Sequence, residues 1–217
     1  PLPPLDQQKK IAAILDAADA YRQKTKALIE KYDELTQSLF LDMFGDPVTN
    51  PKGWEWQNLK DISDYFIGLT YKPENVAEDG IIVLRSSNIQ DGELAFKDVV
   101  RVDKEVKPKL IVKDKDILMC SRNGSARLVG KVALIQNLRE AMTFGAFMTI
   151  IRSDQYHYLL NYFRTLGFRR QIATGATSTV NQITKKMLDR IVLPKPPNEL
   201  QNQFAERVQT IEAQKAQ

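Results

Sequence analysis

A heptad pattern spans residues 6–44 and constrains the fold of this chain more than any other feature. Neither Pro nor Gly interrupts the stretch, and steps of three and four residues from Ile11 give a seam that is apolar at eight of ten positions. The seam predicts a left-handed supercoil against another helix, because a single helix cannot cover so narrow an apolar stripe. Such a helix is roughly 58 Å long. The predicted helix-pairing residues on it are Ile11, Ile14, Ala18, Tyr21, Leu28, Tyr32, Leu35 and Leu39.

The last stretch of the chain repeats the first at an offset of 193 residues. Two prolines, an acidic residue, a Gln and a large apolar residue occur at matching positions, so both stretches predict the start of a helix. An amphipathic stripe follows the second start, with the predicted pairing residues Leu200, Phe204, Val208 and Ile211. With so few positions available to pair, we expect the first seam to be uncovered beyond about Leu28 within one chain. A second chain or a neighbouring molecule would then cover it.

The repeat divides the chain into a spacer helix (1–45), a domain (46–193) and the start of a second helix (194–217). Seven stretches of the domain have strand composition, at 54–56, 62–66, 81–84, 99–102, 117–119, 132–135 and 147–151. Helices are predicted at 156–166, near Arg169 and at 185–189, the last with Thr184 as its N-cap. Strands first and helices later predict an α+β fold.

Charge is distributed unevenly along the chain. Residues 6–44 hold six basic and seven acidic side chains, as an ordinary solvated helix surface does, whereas residues 160–195 hold seven basic side chains against one acid. A basic cluster of this kind indicates a polyanionic partner. The chain has one cysteine and no apolar run long enough to cross a membrane, which fits a cytoplasmic protein.

Several loops combine basic, amide and hydroxyl side chains that suit contact with DNA. Arg and Asn side chains read guanine and adenine edges bidentately, and small hydroxyls and amides position phosphates. The alternative for the loop at 121–127 is a solvated hairpin, and for the run at 174–182 a flexible loop beside a helix. The full set of DNA-binding candidates is Thr70, Lys72, Arg85, Ser87, Asn88, Arg122, Asn123, Arg127, Lys131, Arg169, Arg170, Thr174, Thr177, Ser178, Thr179, Asn181 and Gln182.

The sequence resembles the specificity subunit of type I restriction-modification systems. The run from Pro1 to Leu15 is similar to the start of that family's conserved helix, and Trp54 to Ile62 is similar to the opening of its target recognition domain. Asp116 to Gly124, followed by Val129-Gly130-Lys131, resembles the central strand-loop-strand signature. The closing runs at 174–178 and 191–194 also fit, so the resemblance covers essentially the whole chain.

The resemblance implies a reader of one half of a bipartite DNA target, with antiparallel helices that fix its distance from the other half. At ~3.4 Å per base pair, a rod of roughly 58 Å sets an upper limit of roughly 17 base pairs on that distance. Its partners would be double-stranded DNA, methyltransferase subunits and a restriction subunit, together with a homodimer through the helices. S-adenosylmethionine, ATP and Mg²⁺ would act in those partner subunits, and none is expected in this chain. The family has two recognition domains and this chain has one. It is therefore either half of a full subunit or a half-length subunit that dimerises, and the first residue, Pro1, favours a fragment.

Catalysis by the chain itself is not expected. The sequence lacks a glycine-rich cofactor loop with an Asn/Asp-Pro-Pro-aromatic motif, and it lacks carboxylates spaced for a magnesium nuclease. We expect no metal site, and we interpret His157 as a surface or packing residue and Cys120 as a buried thiol. The alternative function is a coiled-coil assembly adaptor that binds only protein, against which the basic segment at 160–195 argues.

Overall fold

A computed structural model of the protein describes residues 2–173 and 181–215. It has a long N-terminal helix, a sheet-rich mixed domain and a C-terminal helix, as the predicted α+β class requires. The helices are α1 (Leu5–Phe44), α2 (Tyr156–Phe163), α3 (Leu166–Ala173), α4 (Lys185–Leu188) and α5 (Asn198–Lys215). The strands are β1 (Glu55–Asn58), β2 (Asp64–Ile67), β3 (Val76–Leu84), β4 (Ile89–Gln90), β5 (Glu93–Leu94), β6 (Val100–Val102), β7 (Ile117–Cys120), β8 (Val132–Leu134), β9 (Met142–Phe144), β10 (Met148–Arg152) and β11 (Val192–Lys195).

Helix α1 is a single rod of 40 residues, about 60 Å long. Gly45 ends it in the left-handed region at φ +81°, where its N–H donates to the Leu41 carbonyl over 2.8 Å. A side chain at this position would collide with Pro51, so the turn requires glycine for space as well as for conformation. The Trp54 indole N–H then donates to the Phe44 carbonyl over 2.9 Å and fixes the exit of the chain.

A four-stranded antiparallel sheet in the order β2-β10-β7-β8 forms the middle layer. Alternate residues of β7 face opposite sides: Ile117 and Met119 join a cluster with the helices, and Leu118 and Cys120 join a second cluster. The second cluster is completed by a three-stranded sheet, β6-β3-β9, in which β3 and β9 run parallel. The middle sheet is therefore buried on both faces, which explains why β7 is a continuous apolar run.

The helical side of the core includes the last turns of α1. Phe40 and Phe44 are buried there beside Tyr158 of α2 and Phe204 of α5. The Phe40 and Tyr158 rings are stacked with centroids 5.5 Å apart, and the Phe44 and Tyr158 rings meet edge to face at 5.0 Å. The end of the long helix is thus part of the globular core, whereas its N-terminal portion projects away from it.

Several elements differ from the sequence prediction. The predicted helix at 156–166 ends earlier, at Phe163, and the predicted helix near Arg169 is α3. At the break between them the Thr165 hydroxyl donates to the Tyr162 carbonyl (2.7 Å) and accepts from the Phe168 N–H (3.3 Å). Strands β4, β5, β9 and β11 were not predicted. The predicted N-cap is confirmed, since the Thr184 hydroxyl accepts from the Met187 N–H. Among the described residues, no helix is both long and apolar enough to span a membrane.

Candidate nucleic-acid interface

The loop after β7 presents Arg122 at the end of the middle sheet. The Ser121 and Arg122 N–H groups both donate to the Phe147 carbonyl, over 2.9 and 3.0 Å. The guanidinium carbon of Arg122 lies 5.2 Å from the centroid of the Phe147 ring. Within residues 2–173 and 181–215, no carboxylate forms an ion pair with Arg122. An exposed cation is therefore held by the backbone and an aromatic ring, with its donors directed to no protein acid.

Three of the predicted DNA-contacting segments meet at this loop. The Asn123 side-chain amide donates to the Ser86 hydroxyl over 3.2 Å, and the Asn123 N–H donates to the Asn181 carbonyl over 3.3 Å. The Asn181 side-chain amide donates in return to the Gly124 carbonyl over 3.1 Å. Gln182 pairs with Arg122 in an isolated antiparallel bridge. Segments that are distant in sequence thus form one surface, which we call the 122 loop surface: residues 85–87, 121–125, 145–147 and 181–182.

A small cavity of about 90 Å³ lies at the base of this surface, beside Arg122 and Gln182. The Ser121 and Thr149 hydroxyls hydrogen-bond to each other in its wall. Burial raises the pKa of Tyr65, another lining residue, to about 12. Cys120 is buried next to the loop and its thiol donates to the Arg122 carbonyl over 3.7 Å. Burial raises the pKa of that thiol, which fits a packing role.

The structure corrects the prediction for Asn88. Its side chain is 0% exposed, and its amide donates to the Ala95 and Asp98 carbonyls over 2.9 Å each. Its oxygen accepts from the Arg85 N–H, also over 2.9 Å. Asn88 therefore holds the loop together from inside and has no group left for a base edge. Its neighbour Ser87 is half-buried, and Arg85 forms an ion pair with Asp98 at 2.8 Å.

Arg169 has an internal partner as well. Its guanidinium donates to the Val129 carbonyl and ties α3 to the turn that contains Gly130. Gly130 has φ +80°, and a Cβ there would lie 3.1 Å from an Arg169 nitrogen, so the guanidinium is packed against this backbone. Arg127 and Arg170 are exposed and Lys131 is half-buried in the same region. The candidates Thr174, Thr177, Ser178 and Thr179 lie outside the described residues.

Thr70 and Lys72 are exposed on the segment that follows β2. Gly68 approaches the 144–145 backbone so closely that a Cβ would overlap the Gly145 carbonyl, and the Leu69 N–H donates to the Phe144 carbonyl over 2.7 Å. The polar groups of the two candidates have local partners: the Thr70 carbonyl accepts from Lys104, and the Lys72 ammonium lies 3.3 Å from Glu74. The segment borders the 122 loop surface, but no hydrogen bond joins it to Arg122 in the described chain.

Sequence reasoning missed Phe147, which it assigned to the start of a strand. The strand begins one residue later, at Met148, and the Phe147 side chain is 56% exposed. The only signal in the sequence is Gly145, which introduces a turn just before it. Ser86 lies within the predicted candidate run 85–88 but was not among its chosen residues, because the hydrogen bond from Asn123 cannot be found without the pairing of the two loops.

Most of the predicted helix-pairing residues on α1 are uncovered within this chain. Ile11, Ile14, Ala18, Tyr21, Leu28 and Leu35 are exposed, and Tyr32 and Leu39 are half-buried. Helix α5 instead packs on Phe40 and Phe44, whose ring centroids lie 5.8 and 5.1 Å from that of Phe204. This contact face is displaced by one residue from the predicted seam. On α5, Phe204, Val208 and Ile211 are buried and Leu200 is partly buried.

Charged side chains fix the far end of α5 to α1 and to the domain. The Lys215 ammonium lies 3.0 Å from Asp33 of α1 and 2.7 Å from Glu93 of β5, and its side chain is only 8% exposed. Arg164 donates to the Gly92 carbonyl over 3.1 Å beside this cluster. Because Phe204 meets Phe40 and Lys215 meets Asp33, α5 runs antiparallel to α1. In the described part of the chain, helix α1 is therefore paired from about Asp33 onward and exposed before it. The expectation that the seam would be uncovered beyond about Leu28 is wrong, because the antiparallel α5 packs on the C-terminal end of α1.

A cleft of about 800 Å³ lies between these helices and the β4–β5 hairpin, on a different part of the molecule from the 122 loop surface. His157 lines it, and one ring nitrogen of His157, Nδ1, is buried without a hydrogen-bond partner. Burial, assisted by the nearby Lys115 charge, lowers the pKa of His157 to about 4. A neutral, packed imidazole fits the interpretation of this residue. Among the described residues, no three His, Cys, Asp or Glu side chains are grouped to hold a metal ion.

Comparison with known proteins agrees with this architecture. The family described as Type I restriction modification DNA specificity domain matches residues 51–217. The chain is 30% identical over 173 residues to the type I restriction enzyme StySPI specificity subunit of Salmonella potsdam, a match covering 76% of this chain and 37% of that protein. The EcoKI specificity subunit of Escherichia coli K12 gives the same identity and the same coverage. The MjaVIII specificity subunit of Methanocaldococcus jannaschii is 23% identical over 98% of this chain and 55% of its own length.

Solved structures share the fold. The HsdS subunit of Thermoanaerobacter tengcongensis superposes with a TM-score of 0.60 at 21% identity, covering 100% of this chain and 53% of that one. A chain from a structural study of complex assembly and conformational transition of the type I R-M system has a TM-score of 0.64 at 23% identity, over 99% of this chain and 54% of its own.

The molecule therefore belongs to the class of proteins in which a long helix is joined to a mixed α/β domain. More particularly, the chain belongs to the type I restriction-modification DNA specificity family. It spans about half the length, or less, of the relatives that it matches.

Proposed function

We propose that this chain reads one half of a bipartite double-stranded DNA target through the 122 loop surface. The observation that carries the proposal is the convergence of three loop segments on Arg122, an exposed guanidinium that no carboxylate neutralises in the described part of the chain. Arginine in this setting can donate to guanine edges in the major groove, and the surrounding amides can position phosphates. Membership of the specificity family supports the same assignment.

The proposed role of the helices is to dock methyltransferase subunits and to set the distance to the other half of the target. The apolar residues of α1 that stay exposed, such as Ile14 and Tyr21, support a protein partner along the rod. That partner can be a second helix, a methyltransferase subunit or another copy of this chain in a homodimer. We assign no catalytic step to this chain. Methylation with S-adenosylmethionine, and ATP- and Mg²⁺-dependent cleavage by a restriction subunit, belong to the partners in a cytoplasmic complex.

Selection of duplexes tests the proposal. The chain, together with its methyltransferase subunits, is incubated at low salt with a library of randomised duplexes, and the bound fraction is sequenced. We expect enrichment of a defined half-site, and mapping of methylated adenines in DNA modified by the complex should show the same half-site. Binding with no enrichment would contradict sequence reading. Absence of binding at low salt would favour the alternative, a coiled-coil adaptor that contacts only protein.

A further inference from the structure

We propose that Phe147 is a specificity-determining residue that holds the Arg122 guanidinium in position to donate to N7 and O6 of a guanine. The inference deepens the proposed function and depends on it. It assigns a base to Arg122, and it gives a role to Phe147, which the sequence predicted only as the start of a strand. Phe147 acts through Arg122 and is therefore a positioning residue.

The backbone of Phe147 already has a structural function, which its ring does not share. The Phe147 carbonyl accepts from both the Ser121 and the Arg122 N–H groups and so anchors the loop. The ring, in contrast, is 56% exposed and belongs to no core cluster of the described residues. The interaction that the structure shows for this ring is its contact with the Arg122 guanidinium.

The ring lies where it restricts the motion of Arg122. The guanidinium carbon is 5.2 Å from the ring centroid, within the range of a cation–π contact. A guanidinium that lies on an aromatic face keeps its N–H donors free in its own plane. Because the contact already orders the side chain, less conformational entropy is lost when DNA binds. Guanine presents two acceptors in the major groove to which such a planar pair of donors is complementary.

Within the described part of the domain, other arginines, unlike Arg122, form ion pairs with carboxylates. Arg85, Arg101 and Arg152 are each paired with a carboxylate, at 2.8, 2.7 and 2.6 Å, respectively. Each of these guanidinium groups is thus neutralised by a protein carboxylate. The Arg122 N–H is bonded to the Phe147 carbonyl, yet its guanidinium donors have no carboxylate partner among the described residues. This combination of a fixed position with uncommitted donors favours a polar ligand with two adjacent acceptors.

The test compares Phe147→Leu with Phe147→Tyr, each assembled with the methyltransferase subunits. Leu keeps the backbone anchor and an apolar side chain but removes the aromatic face, whereas Tyr keeps that face. The probes are duplexes that carry the selected half-site, in which each guanine is replaced in turn by 7-deazaguanine, which lacks the N7 acceptor. Phe96→Leu is the matched control, because Phe96 is also exposed, at 47%, but lines the cleft beside the helices.

We expect one guanine whose replacement weakens wild-type binding by about fivefold or more. Phe147→Leu should weaken binding of the unmodified duplex by about two- to fivefold and reduce the effect of 7-deazaguanine at that guanine alone. Phe147→Tyr and Phe96→Leu should behave as the wild type does. Arg122→Ala should abolish the effect at the same guanine.

Two results would overturn the inference while the proposed function stands: a half-site without any 7-deazaguanine-sensitive guanine, or a Phe147→Leu profile identical to that of the wild type. A uniform loss at every position in Phe147→Leu, shared by Phe147→Tyr, would also overturn it, because it would indicate only a disturbed loop. Absence of any selected half-site in the wild type would contradict the proposed function itself.

Discussion

Arg122 and Arg169 belong to the same predicted set, yet their guanidinium groups have different environments. Arg169 donates to the Val129 carbonyl and connects a helix to a turn. Arg122 lies against an exposed ring, with its backbone N–H bonded to the Phe147 carbonyl. A donor that is already satisfied gains little from a phosphate or a base, because binding would only exchange one hydrogen bond for another. The two residues therefore differ in the donors that they leave available to a ligand, although both are basic.

Replacement of Arg122 by Ala should reduce binding to the selected half-site more than binding to random duplex. Loss of a bidentate base contact lowers discrimination by about 1–3 kcal/mol. Fluorescence anisotropy with both duplexes gives the ratio. Arg139→Ala is the control, because Arg139 is exposed but lines the cleft near the helices. An equal loss on both duplexes would reassign Arg122 to phosphate contact.

Replacement of Asn88 by Ala should destabilise the domain by about 2–4 kcal/mol, because it leaves a buried N–H group and two carbonyls without their partners. Urea unfolding followed by circular dichroism measures the change. Ser87→Ala, on the half-buried neighbour, should alter stability by less than about 0.5 kcal/mol. Wild-type stability of Asn88→Ala combined with selective loss of DNA binding would restore the original prediction for this residue.

His157 should make the protein less stable as the pH falls from about 6.5 to about 4. Its pKa in the folded state is lowered to about 4 by burial, so between these values the unfolded chain binds the extra proton and the folded chain does not. His157→Gln should remove this loss, which urea titrations at pH 7, 5.5 and 4.5 would show. Glu212 lines the same cleft with a pKa raised by burial, and it contributes with the opposite sign in both proteins. Parallel pH profiles of the two proteins would contradict the assignment.

The environment of a side chain was predictable from the sequence where the apolar pattern of its own strand determines it, as for the buried thiol of Cys120. They were not predictable where the partner is distant in the chain. Asn88 was mistaken for a DNA contact because its three partners, spread over residues 85–98, are backbone groups that no side-chain pattern reveals. Phe147 was missed because a strand start cannot be placed to within one residue from composition.

At the scale of elements, the helices α1 and α5 form a short antiparallel contact with an aromatic centre. Phe204→Ala should destabilise the chain by about 3–5 kcal/mol, because it leaves a cavity between Phe40 and Phe44. The double replacement Leu28→Asp with Leu35→Asp should change stability by less than about 1 kcal/mol, since both side chains are half exposed. Thermal unfolding separates the two outcomes.

The same Leu28→Asp, Leu35→Asp variant should nevertheless lose assembly with methyltransferase subunits, because charges would then interrupt the exposed apolar seam. Sedimentation velocity of the mixed components measures this. Lys24→Gln with Lys26→Gln, on the same projecting helix, is the control and should assemble normally. Unchanged assembly of the Asp variant would contradict the proposed docking role of the rod.

Elements with a long periodic pattern were predictable, and short edge elements were not. The seam gave the length of α1, but it placed the pairing face one residue away, because the helix ends in a core where Phe40 and Phe44 face α2 as well as α5. Strand β11 was missed because it contains Pro194, which is tolerated only since the strand pairs on one side, with β1. Strand β9 has three residues, too few to show an alternation.

At the scale of the whole molecule, the net charge is only +4, but an excess of basic side chains is concentrated at residues 160–195. Lys185 and Lys186 are exposed on α4, next to the 122 loop surface. Binding of the selected duplex should fall steeply with salt, and Lys185→Gln with Lys186→Gln should reduce the slope of log K against log salt by about 2. The sequence preference should be retained. A slope equal to that of the wild type would exclude these lysines from phosphate contact.

The 122 loop surface is held mainly by bonds to backbone atoms, including the carbonyls of Phe147, Asn181 and Gly124. Such anchors do not depend on which side chains the loop exposes to solvent. Under the proposed function, exchange of Arg122 or Gln182 for another residue changes the duplex that is bound while the scaffold is kept. Laboratory retargeting should therefore begin at these exposed positions.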